Sequence, residues 1–189
     1  MEDYFDEVVF ANKDFSETKF PKGEYEQCTF KNVNFANTDL SNIVFSDCEF
    51  IDCNLSNAKI RNTSFQNITF CNCKMLGLLF NQCNSFGFSV NFKNCQLNDS
   101  SFYQVKLKGS QIIASKLLNV DFTETDLTNA TIKECDLLNA SFENTILEKA
   151  DFRTSVHYKI HPENNRIKGA KFSLSSVTGL LDTYKIVID

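Results

Sequence analysis

The sequence predicts an all-β chain wound into a four-sided solenoid, with a short helix near its C-terminal end. Three observations carry that prediction. A large apolar residue recurs at every fifth position, sixteen times without a miss from Phe5 to Phe80 and thirteen times from Phe92 to Phe152. Two residues before a centre stands a small or β-branched side chain, as at Cys28, Val33, Thr38, Ile43, Cys48, Cys53, Ala58 and Thr63. Two residues after it, the nine repeat positions from 32 to 72 all hold Asn or Asp.

An interval of five fits neither regular element. Five residues of α-helix advance about 500°, so the marks would scatter around the axis. In a flat strand an odd interval sends successive marks to opposite faces. The chain must therefore turn a corner inside each repeat. Residues two apart on an extended piece share a face, so the centre and the small residue before it both point inward. Asn and Asp suit the corner, because their side chains bond nearby backbone and tolerate positive φ. Stacked Asn side chains can also bond from one coil to the next. The number of sides follows from like stacking on like at intervals of twenty. Leu97, Leu117 and Leu137 fall together, as do Phe102, Phe122 and Phe142, and Leu107, Leu127 and Leu147. A ten-residue coil fits the Leu sets too, but two short sides cannot enclose a Phe core. Four repeats make one coil.

In chain order, the solenoid is expected over 3–152, with run one at 3–80, a register break at 81–91 and run two at 90–152. Phe80 and Phe92 are twelve residues apart, two more than two repeats, and "NQCNSFGFSVN" between them fits neither register. Leu76 and Leu79 just before it hold nominally outward positions, and Phe86 and Phe88 lie inside the slip. Two readings stand. A bulged coil tucks these groups back in, with Gly77 and Gly87 relieving the backbone, or they form an exposed apolar patch used for binding. Leu118 and Leu138, with Tyr103, Ile113 and Ile146, form a second outward apolar set, covered by the tail or by another subunit. Residues 153–189 are expected as a loop, one further repeat and a tail that caps the last coil. In "SSVTGLLDTYKIVID", Val177, Leu180, Leu181 and Tyr184 stand at i, i+3, i+4 and i+7. That spacing predicts an amphipathic helix with Ser175 or Ser176 as N-cap, followed by a brief strand over 185–189.

The composition suits one domain with a sizeable core: 189 residues, 19 of them Phe, with only 6 Gly and 2 Pro. Seven of the 8 Cys fall on the inward small position, and only Cys71 points out. They read as free apolar fillers rather than disulfides or a metal site. His157 and His161, with only Glu163 as a third ligand, read as surface residues. There is no nucleophile elbow, phosphate-binding glycine loop or HExxH helix, so no enzyme, cofactor or metal is expected. The acidic start lacks the regions of a signal peptide, and no run of about 18 apolar residues is present. A soluble, cytoplasmic chain follows. The net charge of −5 hides an alternation: 1–58 carries −8, 59–120 carries +6, 121–151 carries −6 and 152–189 carries +3. That argues against a uniformly basic surface for nucleic acid.

"ANTDLSN", "LTNATIKECDLLNASF" and "LEKADF" resemble the pentapeptide repeat family, whose consensus is A-(D/N)-L-X-X. The resemblance covers about 3–152, plus "KGAKF" around Phe172. It implies a right-handed quadrilateral β-helix, a rod roughly 35–40 Å long at ~4.8 Å per coil. A short rod of two runs with a helical tail is similar to the Qnr-type quinolone-resistance proteins. That similarity implies a protein partner, a type II topoisomerase (DNA gyrase or topoisomerase IV) bound by DNA mimicry, with no direct nucleic acid binding and no membrane. Asp39, Asp47, Glu49 and Asp52 are the acidic candidates for such a contact. It also implies a homodimer through the C-terminal end, for which Val177, Leu180, Leu181 and Tyr184 are the candidates. The alternative is a scaffold or interaction module with an unrelated partner, bound through the apolar groups at the break.

Overall fold

In a computed structural model, which describes residues 3–188, the chain is a parallel β-solenoid of about seven coils. Its sides can be numbered by their centres in the first coil: Phe5, Phe10, Phe15 and Phe20. The first side carries a four-stranded sheet of β1 (Asp3–Asp6), β3 (Gly23–Glu26), β5 (Val44–Ser46) and β7 (Ser64–Gln66). The second side carries seven strands: β2 (Val9–Ala11), β4 (Thr29–Lys31), β6 (Glu49–Ile51), β8 (Ile68–Cys71), β9 (Val90–Lys93), β10 (Gln111–Ile113) and β11 (Thr131–Lys133). Centres pair with centres one coil on, as Phe45 with Phe65 and Phe30 with Phe50. The third and fourth sides are held by single parallel bridges at the same offset, such as Asn34 with Asn54 and Ser101 with Asp121.

Every centre from Phe20 to Phe152 is buried, and so are the small inward residues from Cys28 to Thr63. Phe5, Phe10 and Phe15 of the first coil are half-buried against that core. Aromatic centres stack along the axis, with ring centroids 4.6 Å apart for Phe30 and Phe50 and 5.4 Å for Phe102 and Phe122. Offset stacking at such spacing is favourable beyond area burial. The inward Thr and Cys residues satisfy themselves against backbone. Thr63 donates to the Leu40 carbonyl at 2.9 Å, and the Cys48 thiol to that of Tyr25 at 3.2 Å. All eight cysteines are free. Burial pushes the Cys48 thiol up to about 12 and Cys135 to about 11, so both stay protonated and act as fillers.

The corners also follow the pattern. The nine Asn or Asp residues at the corner positions from 32 to 72 all have positive φ. Many stacked pairs bond across coils, Asn67 to Asp47 at 2.6 Å and Asn72 to Asp52 at 3.0 Å among them.

Past residue 152 the twenty-residue pairing persists, through Asp136 with Val156, Ile146 with Arg166 and Asp151 with Lys171. Tyr158 and Ile160 join the core there, within the stretch expected to leave as a loop. The tail departs from the expected α-helical spacing. It forms two 3-10 helices, Leu174–Leu180 and Asp182–Tyr184. Ser175 and Ser176 lie inside the first of them. Ser173 precedes it in an extended conformation and makes no side-chain cap bond. The cause is docking. The Gly179 carbonyl accepts the Ile160 N–H at 3.0 Å, and a Cβ on Gly179 would stand 2.1 Å from the Tyr158 carbonyl oxygen. Closure against the last coil therefore sets the turn, overriding helical propensity. No strand forms over 185–188, where Lys185 takes a left-handed φ of +50 that turns the chain away; Asp189 lies outside the described residues.

Candidate interaction surface

The two surplus residues of the register break are expelled on the first side alone. Phe80–Gln82 forms a 3-10 turn, after which the Asn84 N–H donates to the Thr63 carbonyl at 3.0 Å. The Ser89 N–H then donates to the Phe65 carbonyl at 2.9 Å. Between these anchors the chain bulges outward. Asn84 props the bulge at its base, its amide donating to the Ser64 hydroxyl at 3.1 Å and its carbonyl oxygen accepting the Phe86 N–H at 3.0 Å. Gly87, at φ +66 over the Gln66 side chain, supplies the left-handed turn.

The apolar groups of the break divide between packed and exposed positions. Phe88 turns in and meets Phe80 edge-on, with centroids 6.3 Å apart. Phe86 is left outside, 79% exposed. Leu79 is 42% exposed on the adjoining fourth side, while Leu76 is half-buried behind the corner at Gly77. Between the bulge and the next coil lies an open cleft of about 430 Å³, lined among others by Phe80, Cys83, Phe88, Tyr103, Val105 and Lys106. Val105 and Lys106 were not among the sequence-derived candidates. The signal was available, since residues one coil beyond a bulge must form its opposite wall.

The acidic candidates do not converge. Asp47, Glu49 and Asp52 flank the second side of one coil, whereas Asp39 lies on the opposite, fourth side. Asp47 and Asp52 are corner residues that accept the amides of Asn67 and Asn72. Asp39 is held below its usual carboxylate range chiefly by Ser41, and pairs with Lys22 at 3.3 Å. Leu118 and Leu138 occupy the third side on successive coils. Leu118 is half-buried and Leu138 44% exposed. A second recess of about 480 Å³ separates Leu138 and Val156 from the tail at Ser176 and Gly179.

At the C-terminal end, Val177, Leu180 and Leu181 are half-buried, and Leu180 packs on the core. The exposed Tyr184 donates its hydroxyl to Glu163 at 2.8 Å. The most exposed apolar groups there are Leu174, at 91%, and Val187, neither of which fell on the helical spacing read from the sequence. His157 pairs with Asp136 at 2.8 Å, and His161 contacts the Thr183 hydroxyl. Among the described residues, no group of three or more His, Cys, Asp or Glu side chains could hold a metal. No helix among them is long and apolar enough to cross a membrane.

A model for pentapeptide repeats (8 copies) matches residues 9–47, 28–67 and 48–84, and one for a pentapeptide repeat region matches 80–152. No curated protein matches the chain in sequence. Among solved structures, a trypsin-treated variant of QnrB1, a plasmid-mediated fluoroquinolone resistance protein, is 19% identical with a TM-score of 0.66, covering 100% of this chain and 92% of its own. A second trypsin-treated QnrB1 variant is 17% identical at 0.64, covering 99% and 100%. HetL from the cyanobacterium Nostoc, a pentapeptide repeat protein involved in heterocyst differentiation regulation, is 16% identical at 0.65, covering 92% and 87%. At such identities the likeness is one of fold.

Proposed function

Because the chain belongs to the pentapeptide repeat family, we propose that it is a non-catalytic, protein-binding rod whose contact surface is the interrupted coil. One observation carries this reading: Phe86 stands 79% exposed beside a cleft whose walls include Phe80, Phe88, Tyr103 and Val105. A large ring held in water by a hydrogen-bonded bulge forgoes about 1.5–3 kcal/mol of burial. Exposed apolar patches with aromatic anchors are the usual seats of binding energy. The second recess, at Leu138 and Val156, is bordered by the tail and, among the described residues, holds no exposed aromatic ring of comparable size.

The partner to test first is a type II topoisomerase, supported by the Qnr-like fold over the whole chain and by the exposed carboxylates beside the second side. Purified gyrase is assayed for supercoiling with and without a fluoroquinolone, adding the wild-type protein or Phe86→Ser. Wild type is expected to change supercoiling or drug inhibition, and the variant to lose that effect. No change with wild type removes the topoisomerase. An unchanged effect with Phe86→Ser removes the interrupted coil as the contact. We place the protein in the cytoplasm, as a homodimer joined at the C-terminal end through Leu174 and Val187. Sedimentation equilibrium of Leu174→Asp tests that pairing, and an unaltered dimer mass argues against it.

A further inference from the structure

Resting on that contact surface, the partner's chemistry can be read from the cleft itself. Elsewhere along the first side of run two, the N–H just before each centre donates to the preceding coil. Asp126 donates to the Val105 carbonyl at 3.0 Å, Ile146 to Thr125 at 2.9 Å and Arg166 to Thr145 at 3.0 Å. Lys106 holds the same position one coil above the bulge. Its N–H finds no acceptor among the described residues, because the displaced chain offers no carbonyl there. The cleft thus has an unused backbone donor in its wall, where an open donor costs free energy as it is shielded from water.

The charges around it are also uncompensated. The Lys106 ammonium makes no ion pair among the described residues, since the neighbouring Asp126 is taken by Lys108 at 3.2 Å. Arg61 makes none either. It occupies the coil below Asn81, a residue of the cleft wall. The whole segment 59–120 carries +6.

We propose that this cleft receives one extended, acidic segment of a partner protein. An apolar side chain of the segment enters against Phe88, Tyr103 and Val105. A main-chain carbonyl accepts the Lys106 N–H, restoring locally the ladder that the bulge interrupts, as strand addition does at an open sheet edge. Carboxylates flanking the apolar residue meet Lys106 and Arg61. A single short cleft with one backbone donor favours a peptide over a nucleic-acid strand, which needs a continuous track of cations and stacking rings along several nucleotides.

The test uses the full chain and a short acetylated, amidated peptide alternating Glu with Val around a central Leu. Controls are the same peptide with Lys for Glu, and an oligothymidylate. Amide NMR spectra are expected to show saturable shifts centred on Lys106 and Val105 with the acidic peptide alone. Lys106→Glu and Arg61→Glu, with unchanged circular dichroism, are each expected to weaken it about tenfold. Equal binding of the lysine peptide, tighter binding of the oligonucleotide, shifts centred elsewhere or no saturation would overturn the inference. If the acidic peptide fails while Phe86→Ser still abolishes the effect on gyrase, the contact surface stands and only its proposed occupant falls.

Discussion

The first and second sides of this solenoid are built from the same repeat, yet they answer the same insertion in opposite ways. On the second side seven parallel strands run from β2 to β11 without a gap, and the pairing of Phe70 with Phe92 absorbs the two surplus residues as a change of offset. On the first side the sheet ends at β7, and the surplus is pushed into solvent. A coil must close on itself, so extra length cannot be shared evenly among four short sides. It leaves where Gly87 permits a left-handed turn and Asn84 can bond the bulge. It does not leave where Val90 and Phe92 re-enter the inward pattern. Continuity protects the core, while the break exposes an aromatic ring and an unpaired donor.

The largest effect should separate core from break most plainly. Phe65, buried beneath the bulge, is expected to cost about 3–5 kcal/mol when replaced by alanine, the transfer term plus the cavity it leaves. Phe86→Ser, about one coil of chain later but exposed, should change stability by no more than about 0.5 kcal/mol. Urea unfolding of both variants provides the measurement. Equal losses would mean that Phe86 is packed, and the contrast between the sides would disappear.

The break can also be erased. Removing Asn84 and Gly87 together puts Phe86 five residues after Phe80 and Phe92 ten after it, a regular register. With Phe86 buried as a centre and the first-side sheet continued, stability should rise by about 1–2 kcal/mol, and any binding at the cleft should vanish. A lower urea midpoint would show that the bulge is not an excess the core would rather absorb.

Corners provide a smaller test. Asn67 sits at φ +52 and donates to Asp47 at 2.6 Å. Asn67→Ala loses both the tolerance for that conformation and the bond, a cost of about 1 kcal/mol. Asn67→Gly keeps the backbone freedom and should cost less. If the two variants unfold alike, the side-chain ladder alone accounts for Asn at this position.

Most of the architecture was legible because the repeat states each residue's role many times over. Phe30, Cys53 and Asn62 hold positions repeated in coil after coil, so centre, inward filler and corner could be read by consensus. Where a residue's role is set once, by an encounter between distant segments, that redundancy is absent. The 3-10 tail is decided by Gly179 meeting Tyr158, and no local spacing announces it. At the break the sequence located the slip and its apolar residues. Which of Phe86 and Phe88 turns inward depends on the hydrogen bonds of Asn84, and the role of Lys106 depends on a missing carbonyl one coil below. The acidic candidates show the reverse limit. Asp39, Asp47, Glu49 and Asp52 are close in sequence, but the coil distributes them over opposite sides.

The smallest expected effect concerns how the second side carries its ladder beyond β11. Asp151 is buried to 7% exposure and bridges Thr131 and Lys171 in the ladder. Its carboxylate accepts two bonds from Arg153, Nε to Oδ1 at 3.0 Å and Nη2 to Oδ2 at 2.8 Å, with Lys133 at 3.8 Å. The Arg153 guanidinium, foremost, holds the carboxyl at about 2. A depressed carboxyl stabilises the fold above its unfolded-state value near ~3.9 and loses that contribution as pH falls toward the folded value. Arg153 and Lys133 are both partly exposed, so solvent screening keeps the gain within about 1 kcal/mol. Urea midpoints measured between pH 5 and 2 should therefore fall more for wild type than for Asp151→Asn, with the two curves parallel above pH ~4 and converging below it. Parallel curves throughout would show that the second side owes its continuity to backbone pairing alone, with no help from this charge cluster.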